Sequence, residues 1–484
     1  VSAEDALREV APKVIGALNL LSEMRKNPPK LIVGLTSIIG ITGMQGNGWY
    51  AFSNEALDFI LRRYASNHPA TRTLSVAYSI WRDAGMGARM GSVQALKKKG
   101  IDAIPTEEGV RRFVRLFLHN PGTHQVLVTA RMTQMDTLGT PTPPPTKGAR
   151  FLEKRIHFTP GVESAFWVHL SLDEDLYLQD HCYNDSYLFP AVFGLEAMAQ
   201  VVAQVTGVTG FSGVRVENLL LRRPIIVEPE KGADIIVWAQ TRERAAAGDK
   251  LAVQAGIFKA GADPNTDFFS ATFVMGSMDP PAQQPLHIQQ EPLDMQPPTD
   301  LYRQTLLFQG SRFQRIDQVH VLERHTAESG TVVVSTPPPD PDCAKLAYAS
   351  PEHQRFLLGD PFQRDNLLQS AALLIPQDTS LPMSIRRWDI YPRDENTSEH
   401  HRMFIRTRLE GLRDQEVDTS VESLDQSGVL TESLSGYRLK ILNHHDEYPT
   451  VADLLRPDER DTRLLQERLA DLAAGLRLKI PDIC

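Results

Sequence analysis

The stretch LYLQDHCYNDSYLFPAVFGLEAMAQ, residues 176–200, decides the fold of this 484-residue chain. Its second part opens the segment 190–207, which begins with proline, a residue suited to the first turn of a helix, and is then almost entirely apolar. This composition predicts a buried helix whose EAMAQVVAQV stripe packs in the core. His181 precedes Pro190 by nine residues.

Strand-like segments surround this helix, and the same plan recurs later in the chain. ADIIVWAQTRE (233–243) and LAVQAGIFKA (251–260) have the composition of two antiparallel strands. Residues 299–445 again combine strands with one apolar helix, at 365–375. We therefore predict two α+β halves of similar architecture.

Two proline-rich stretches, 138–149 and 279–298, separate these bodies, because closely spaced prolines continue neither a helix nor a central strand. The length of the chain also suggests about three units. The predicted organisation is a first body at 1–137, a second at 150–278, a third at 299–445, and a C-terminal linker and helix at 446–484.

The first body alternates helices and strands. LIVGL (31–35) and TLSVAYS (73–79) are short apolar runs of the kind that buried parallel strands need. AFSNEALDFILRRYA (51–65), between them, has helical periodicity. Upstream, Ala3 to Met24 is expected to form one amphipathic helix. This order predicts an α/β sheet.

The composition argues against several classes of function. Lysine and arginine number 51 and aspartate and glutamate 60, a formal charge of −9 without the basic stripe of a nucleic-acid surface. Cys182, Cys343 and Cys484 form no CxxC, so we expect neither a disulfide framework nor a metal site, which fits a reducing cytosol. No apolar run approaches the roughly 18 residues of a membrane span. We see no signal peptide, and the chain begins within a predicted helix, as an excised piece would.

The segment 176–200 resembles the first active-site motif of the dehydratase domains of polyketide synthases. QRDNLLQSAALLIP (363–376) resembles the second, in which an aspartate near the start of a buried helix is followed one turn later by glutamine or histidine. The resemblance covers roughly 150–445. It implies an α+β double hotdog, in which two antiparallel sheets each wrap a long apolar helix, with His181 and Asp365 as the catalytic pair.

The chemistry of dehydration explains this pair. Removing water from a β-hydroxyacyl thioester needs a base for the α-proton, a role suited to His181, and an acid for the leaving hydroxide, a role for Asp365 if burial raises its pKa. Gln369 shares a helix face with Asp365 and can orient its carboxyl group. Backbone N–H groups near Pro190 and Ala191 can bind the thioester oxygen, since a helix start offers unpaired donors.

Other features of the resemblance bear on substrate binding and on the type of synthase. LLFQGSRFQRI (306–316) resembles the substrate-side strand of the family and contributes Phe313, but Gln309 and Ser311 replace the usual histidine and proline. Asp185 replaces a glycine. FGLEAMAQ is closer to iterative synthases of the enediyne and polyunsaturated-fatty-acid type.

Four alternatives remain open at this point. The two halves could be a catalytically silent structural pair, or a hotdog thioesterase that uses a carboxylate to activate water. His181 could also be a structural histidine, and Asp365 could serve only as the N-cap of its helix.

The segment TSIIGITGMQGNGWYAFSNEALD (36–58) resembles the C-terminal half of polyketide ketoreductases, of the short-chain dehydrogenase/reductase superfamily. The resemblance implies that Tyr50 donates a proton to the reduced ketone, Ser37 holds its oxygen, Lys13 tunes Tyr50 and Asn54 holds a relay water. Nothing before Ser37 provides the glycine-rich turn that binds nucleotide phosphates, so this is an incomplete α/β, Rossmann-like half.

The resemblance also implies cofactors and partners. The dehydratase needs no cofactor, whereas the ketoreductase would use NADPH when completed by upstream sequence. The substrate is carried on the phosphopantetheine of an acyl carrier protein, and other domains of the same megasynthase are neighbours. Such domains often pair as homodimers.

Overall fold

The computed structural model of the chain describes residues 2–85, 89, 93, 101–130, 148–242, 251–261, 267–276, 278, 291–295, 302, 307–392 and 402–476. They belong to two compact units, Val1–Thr142 and Pro143–Cys484. Most of both proline-rich stretches lies outside the described residues, as does Cys484.

The first unit contains a parallel sheet flanked by helices, as the sequence predicts. The sheet has the order β1-β2-β3, and its core includes Leu74 and Val76. The described helices are α1 (Ala3–Val10), α2 (Val14–Glu23), α3 (Ile39–Thr42), α4 (Gly48–Asn67) and α5 (Thr106–Leu118), and the strands are β1 (Leu31–Ser37), β2 (Arg72–Tyr78) and β3 (Gln125–Val128).

The prediction of one helix from Ala3 to Met24 is wrong. The chain forms two helices, α1 and α2, with a turn at residues 11–13 between them. Pro12 lies in that turn, and a proline inside a helix removes a backbone N–H donor and clashes with the preceding turn.

The second unit is dominated by antiparallel strands. Its strands are β4 (Lys154–Thr159), β5 (Glu163–Leu170), β6 (Cys182–Tyr183), β7 (Ser186–Leu188), β8 (Val214–Leu221), β9 (Ile226–Val227), β10 (Ala233–Thr241), β11 (Leu251–Lys259), β12 (Phe269–Met275), β13 (Gln318–Thr326), β14 (Ser329–Thr336), β15 (Asp378–Ile390), β16 (Met403–Arg413), β17 (Glu416–Leu424) and β18 (Leu430–His444). Its helices are α6 (Ala191–Thr206), α7 (Cys343–Ala347), α8 (Pro361–Gln369), α9 (Val451–Leu455) and α10 (Pro457–Leu476), with one-turn 3₁₀ helices at Leu176–Asp180, Ser311–Phe313 and Ser370–Leu374.

Twelve of the described strands form one sheet, in the order β13-β14-β16-β17-β18-β15-β8-β12-β11-β10-β5-β4. Six strands come from residues 154–275 and six from 318–444, so each half of the sheet corresponds to one predicted α+β body. The halves join where β8 pairs with β15 in antiparallel register, for example Val216 opposite Trp388. The arrangement is a double hotdog.

Each half of the sheet packs against one buried helix. In α6 every side chain from Val192 to Val205 is buried, and in α8 all nine residues are buried. The second helix begins four residues before the predicted 365, because Asp360 caps it by accepting hydrogen bonds from the N–H groups of Phe362 and Gln363. After Gln369 the chain tightens into a 3₁₀ turn.

The segment after 446 is partly integrated into the core. Thr450 and Asp453 form a capping box at the start of α9, and Leu454 is completely buried in the main core. The following helix, α10, begins at Pro457, within the predicted C-terminal segment, and its Leu465 and Leu472 are exposed.

A network of buried charges ties α6 to the second half. The carboxylate of Glu196 accepts hydrogen bonds from the N–H groups of Leu357 (2.7 Å) and Leu358 (3.0 Å). Close by, Arg364 forms a two-point ion pair with Glu432, at 2.9 and 3.0 Å, and the indole N–H of Trp388 donates to the same carboxylate. A charge that is buried this completely destabilises the folded protein unless an opposite charge lies beside it.

We predict that Glu432→Gln lowers the free energy of unfolding of the second unit by about 3 kcal/mol, because it leaves the Arg364 guanidinium buried without its counter-charge. Urea unfolding followed by far-ultraviolet circular dichroism, which reports the strands of the second unit, measures this. The matched control is Asp418→Asn, which breaks the half-exposed pair with Arg438 and should cost about 0–1 kcal/mol. Equal losses in the two variants would contradict a structural role for the buried pair.

Candidate active site

His181 lies between a 3₁₀ turn and a short hairpin, directly before β6. Its Nδ1 is 2.8 Å from the backbone oxygen of Leu188. A carbonyl oxygen can only accept, so Nδ1 carries the hydrogen and Nε2 is left with the basic lone pair. Burial lowers the pKa of His181 to about 4, so the ring is neutral at neutral pH.

The hairpin after His181 accommodates Asp185 at the position where the resembling motif has a glycine. Cys182 pairs with Tyr187 and Tyr183 with Ser186, so Asn184 and Asp185 form a two-residue turn. Both have positive φ, 45° and 58°. Asparagine and aspartate are the non-glycine residues that adopt this conformation most readily, so Asp185 is compatible with the local turn.

Asp365 lies within α8, on its second turn, and is buried. Burial raises its pKa to about 6, an effect that a hydrogen bond from Gln369 partly offsets. The N-cap of this helix is Asp360, so the alternative that Asp365 only caps the helix is wrong.

Gln369 is held by three hydrogen bonds. Its Nε2 donates to Oδ2 of Asp365 (2.8 Å) and to the backbone oxygen of Phe313 (3.2 Å), and its Oε1 accepts from the hydroxyl of Tyr302 (2.8 Å). The expectation that Gln369 contacts the carboxyl group of Asp365 is therefore met by the geometry.

Phe313 is the point where the two halves of the site meet. Its ring lies 5.5 Å from the ring of His181, centroid to centroid, and its backbone oxygen binds the amide that contacts Asp365. The ring of Phe308 lies 5.0 Å from His181 on another side. The imidazole from the first half and the carboxyl group from the second are thus linked through a shared aromatic cluster.

An ion pair next to His181 fixes this junction. Oδ2 of Asp180 accepts from both the backbone N–H and Nη1 of Arg312, at 3.1 and 2.8 Å. The N–H of Gly310 donates to the backbone oxygen of Asp180 at 2.7 Å. The segment that carries Phe313 is therefore fastened directly to the segment that carries His181.

Pro190 and Ala191 lie where α6 begins, with Pro190 as an N-cap that has no side-chain hydrogen bond to the helix. The ring of Phe193, in the first turn, is 6.2 Å from the ring of Phe313. The start of α6 therefore lies beside the same aromatic cluster.

The substituted substrate-side motif has two consequences in the structure. Ser311 opens the 3₁₀ turn that the family's proline would also suit, and Gln309 keeps a buried Oε1 that has no hydrogen-bond partner in the described part of the chain.

In the first unit, three of the four predicted ketoreductase residues lie together. Lys13 Nζ donates to Oδ1 of Asn54 and lies 5.3 Å from the ring centroid of Tyr50, whose backbone oxygen accepts from Asn54 Nδ2 (2.7 Å). Burial lowers the pKa of Lys13. Ser37, at the end of β1, accepts a hydrogen bond from the N–H of Ile39 and has no contact with Tyr50 among the described hydrogen bonds.

Tyr302 and Asp180 also contribute to the arrangement in the second unit and were not predicted from the sequence. Tyr302 is 67 residues from Gln369, and no periodic pattern connects such distant positions. Asp180 directly precedes His181, but its partner Arg312 is 132 residues away.

Other site types are absent from the described residues. No group of three or more histidine, cysteine, aspartate or glutamate side chains there could hold a metal ion. None of the described helices is both long and apolar enough to cross a membrane.

A cleft of about 430 Å³ lies between β8 and β15–β18, and its lining includes neither His181 nor Asp365.

Family models match three parts of the chain. Residues 150–253 match the polyketide synthase dehydratase domain, residues 280–448 match the polyketide synthase dehydratase N-terminal domain, and residues 1–83 match the KR domain.

Individual relatives match at lower identity. A polyunsaturated fatty acid synthase from Thraustochytrium sp. is 24% identical over 379 residues, which are 78% of this chain and 12% of that protein. A mycocerosic acid synthase-like polyketide synthase of Mycobacterium tuberculosis is 33% identical over 114 residues, 23% of this chain and 5% of that protein. This chain thus spans only a small part of these relatives.

Among solved structures, the dehydratase domain from the CurF module of curacin polyketide synthase has a TM-score of 0.47 at 17% identity, covering 61% of this chain and 99% of that one. The dehydratase domain of PpsC from Mycobacterium tuberculosis, in complex with C12:1-CoA, has a TM-score of 0.44 at 18% identity, covering 60% and 99%.

We predict that His181 titrates with a midpoint near pH 4, because charging the ring in this buried site costs solvation energy. Nuclear magnetic resonance of histidine-labelled protein measures this, and the resonance is assigned by its loss in His181→Gln. A midpoint near the ordinary value of about 6.5 would show that water reaches the ring freely.

Proposed function

We propose that this chain, whose residues 150–253 and 280–448 belong to the polyketide synthase dehydratase family, removes water from a β-hydroxyacyl thioester to give a trans-α,β-enoyl thioester. The observation that carries the proposal is the position of Phe313. Its ring lies 5.5 Å from the buried, neutral imidazole of His181, and its backbone oxygen accepts from Gln369, which also donates to the buried carboxyl group of Asp365. A neutral imidazole and a carboxyl group of raised pKa can act as a base and an acid.

The proposed elimination uses Nε2 of His181 as the base and the carboxyl group of Asp365 as the acid. Nε2 of His181 takes the α-proton, the released electron pair forms the carbon–carbon double bond, and the bond to the β-oxygen breaks. Asp365 gives its proton to the leaving hydroxide, which departs as water. His181 then holds one proton and Asp365 has lost one, so a single proton transfer through solvent restores both.

The start of α6 supports binding of the thioester oxygen. Since Pro190 provides no side-chain cap, the N–H groups of Val192 and Phe193 are not occupied by a capping side chain. Unpaired N–H donors and the positive end of the helix dipole stabilise the negative charge that gathers on the carbonyl oxygen as the α-proton leaves.

Phosphopantetheine on an acyl carrier protein is the proposed carrier of this thioester, and other domains of a megasynthase are the proposed neighbours. Support comes from the matches to synthases many times longer than this chain. A homodimer is part of the same proposal and rests on the family resemblance alone.

For residues 1–83, which match the KR domain, we propose a share in an NADPH-dependent ketoreductase. Tyr50, held beside the ammonium group of Lys13, would protonate the oxygen of the reduced ketone. These residues do not by themselves fit a nucleotide, because no GxGxxG sequence precedes Ser37 to receive its phosphates.

We predict that His181→Ala and Asp365→Asn each lower kcat by about 10²–10⁴-fold, because each removes one partner of a general acid–base pair. Mass spectrometry of a β-hydroxyacyl thioester measures the loss of water.

Matched controls for these variants are His320→Ala and Asp267→Asn. His320 is buried, and Asp267 is partly buried and accepts a hydrogen bond from Trp238 that an asparagine can keep; neither residue contacts His181 or Asp365 among the described hydrogen bonds. Both should remain active. Release of the free acid by the wild-type protein would indicate a thioesterase, and no reaction at all would indicate a structural pair of hotdogs.

We predict a bell-shaped pH dependence of kcat/KM. Activity rises as the pH increases through about 4, where His181 becomes neutral, and falls as the pH increases through about 6, where Asp365 loses its proton. A single limb that rises through neutral pH would contradict the assignment of Asp365 as the acid.

A further inference from the structure

Tyr302 reaches the catalytic carboxyl group through one intermediate side chain. Its hydroxyl donates to Oε1 of Gln369 at 2.8 Å, and Nε2 of Gln369 donates to Oδ2 of Asp365 at 2.8 Å. All three side chains are buried, with exposed fractions of 9%, 3% and 4%. Hydrogen bonds in such a dry environment are strong and sensitive to the loss of a partner.

The orientation of the Gln369 amide decides where the proton of Asp365 can reside. With Nε2 facing Oδ2, that oxygen already receives a hydrogen, so a protonated Asp365 must carry its acidic hydrogen on Oδ1. In the described part of the chain Oδ1 takes part in no hydrogen bond, so this hydrogen can be given to a substrate.

A flipped amide would reverse this arrangement. Oε1 would then face Asp365, and a protonated carboxyl group could donate from Oδ2 to Oε1, which would hold the acidic proton away from the substrate. The backbone oxygen of Phe313, which also accepts from the N–H of Arg315 at 2.9 Å, opposes the flip, because the flip would turn Oε1 toward it in place of the Nε2 donor that now lies at 3.2 Å.

Tyr302 opposes the flip from the other end of the amide. Its hydroxyl donates to Oε1 of Gln369 at 2.8 Å, so the amide must present its oxygen to this hydroxyl. A flipped amide would present two N–H donors to that hydroxyl and leave its hydrogen without an acceptor.

We propose that Tyr302 is a positioning residue of the dehydratase: by holding Gln369 with its N–H toward Asp365, it directs the acidic proton to the oxygen that faces the substrate. This inference rests on the proposed function. It concerns the donor step alone, because the described contacts of Tyr302 do not include His181.

The proposal predicts the direction in which Tyr302→Phe shifts the pKa of Asp365. In Tyr302→Phe the flipped amide stabilises protonated Asp365 and no longer donates to its carboxylate, so the pKa of Asp365 rises. Burial and the charge of Asp365 together raise the pKa of Tyr437, whose hydroxyl donates to the backbone oxygen of Leu368 (3.4 Å). The substitution at Tyr302 leaves this hydrogen bond in place.

The experiment compares Tyr302→Phe with Tyr348→Phe. Each removes one buried hydroxyl, and that of Tyr348 has no hydrogen-bond partner in the described residues. For Tyr302→Phe we expect kcat to fall about ten- to a hundredfold with KM unchanged, since the acid is misdirected and binding is intact. In Tyr302→Phe the fall in activity on the alkaline side of the pH profile should move to higher pH. Tyr348→Phe should leave both kcat and the position of this fall as in the wild type.

A second variant separates positioning from a general loss of stability. In Gln369→Leu the amide is gone, so adding Tyr302→Phe should lower kcat no further. If the two substitutions lower kcat by factors that multiply, the proposal is overturned. It is also overturned if Tyr302→Phe has the kcat of the wild type and loses activity at the same alkaline pH as the wild type.

Infrared spectroscopy keeps this inference separate from the proposed function. The band of the protonated carboxyl group is identified by its loss in Asp365→Asn, and its titration needs no turnover. A midpoint that moves upward in Tyr302→Phe supports the positioning role even if the wild type shows no dehydration. An unmoved midpoint overturns it even if the wild type is active.

Discussion

The antiparallel pairing of β8 with β15 is the constraint on which the rest of the second unit depends. It makes one sheet of two six-stranded halves, so both central helices pack against a continuous surface. The segments that carry the proposed catalytic residues come from both sides of this seam. The ring of Phe313 lies beside His181, and its backbone oxygen binds Gln369, which contacts Asp365. His181 belongs to the first half of the unit and Asp365 to the second.

Burial acts on both proposed catalytic groups through one cause. Loss of water disfavours the charged form of each, so it lowers the pKa of His181 and raises that of Asp365. The same desolvation thus produces a neutral base and favours a protonated acid. By contrast, the buried Arg364–Glu432 pair has its charges matched by each other, and its role is structural.

Much of this could be predicted from the sequence, because the relevant signals are local. The apolar run after Pro190 predicted α6, and alternating apolar residues predicted β10 and β11, which pair as expected. His181 and Asp365 were found through motifs of contiguous residues, although their roles stay a prediction.

Two of the features that were not predicted had local signals, whereas others depend on contacts between distant positions. The break at Pro12 and the cap at Asp360 had local signals that the apolar periodicity outweighed. The hydrogen bond from Tyr302 to Gln369 had none, since the two residues belong to different segments of the chain. Glu196 was a partial signal, because a carboxylate within an apolar helix must find buried partners, but its acceptance of the Leu357 and Leu358 N–H groups follows only from the fold.

The central claim is that His181 and Asp365 act in a single step of one site, and the most direct test is the kcat/KM of the double variant His181→Ala/Asp365→Asn. If the two groups work as a unit, the double variant is no slower than the slower single variant, because either substitution already removes the concerted step. If the two losses multiply, the residues act independently, and the account of a shared dehydratase site is contradicted.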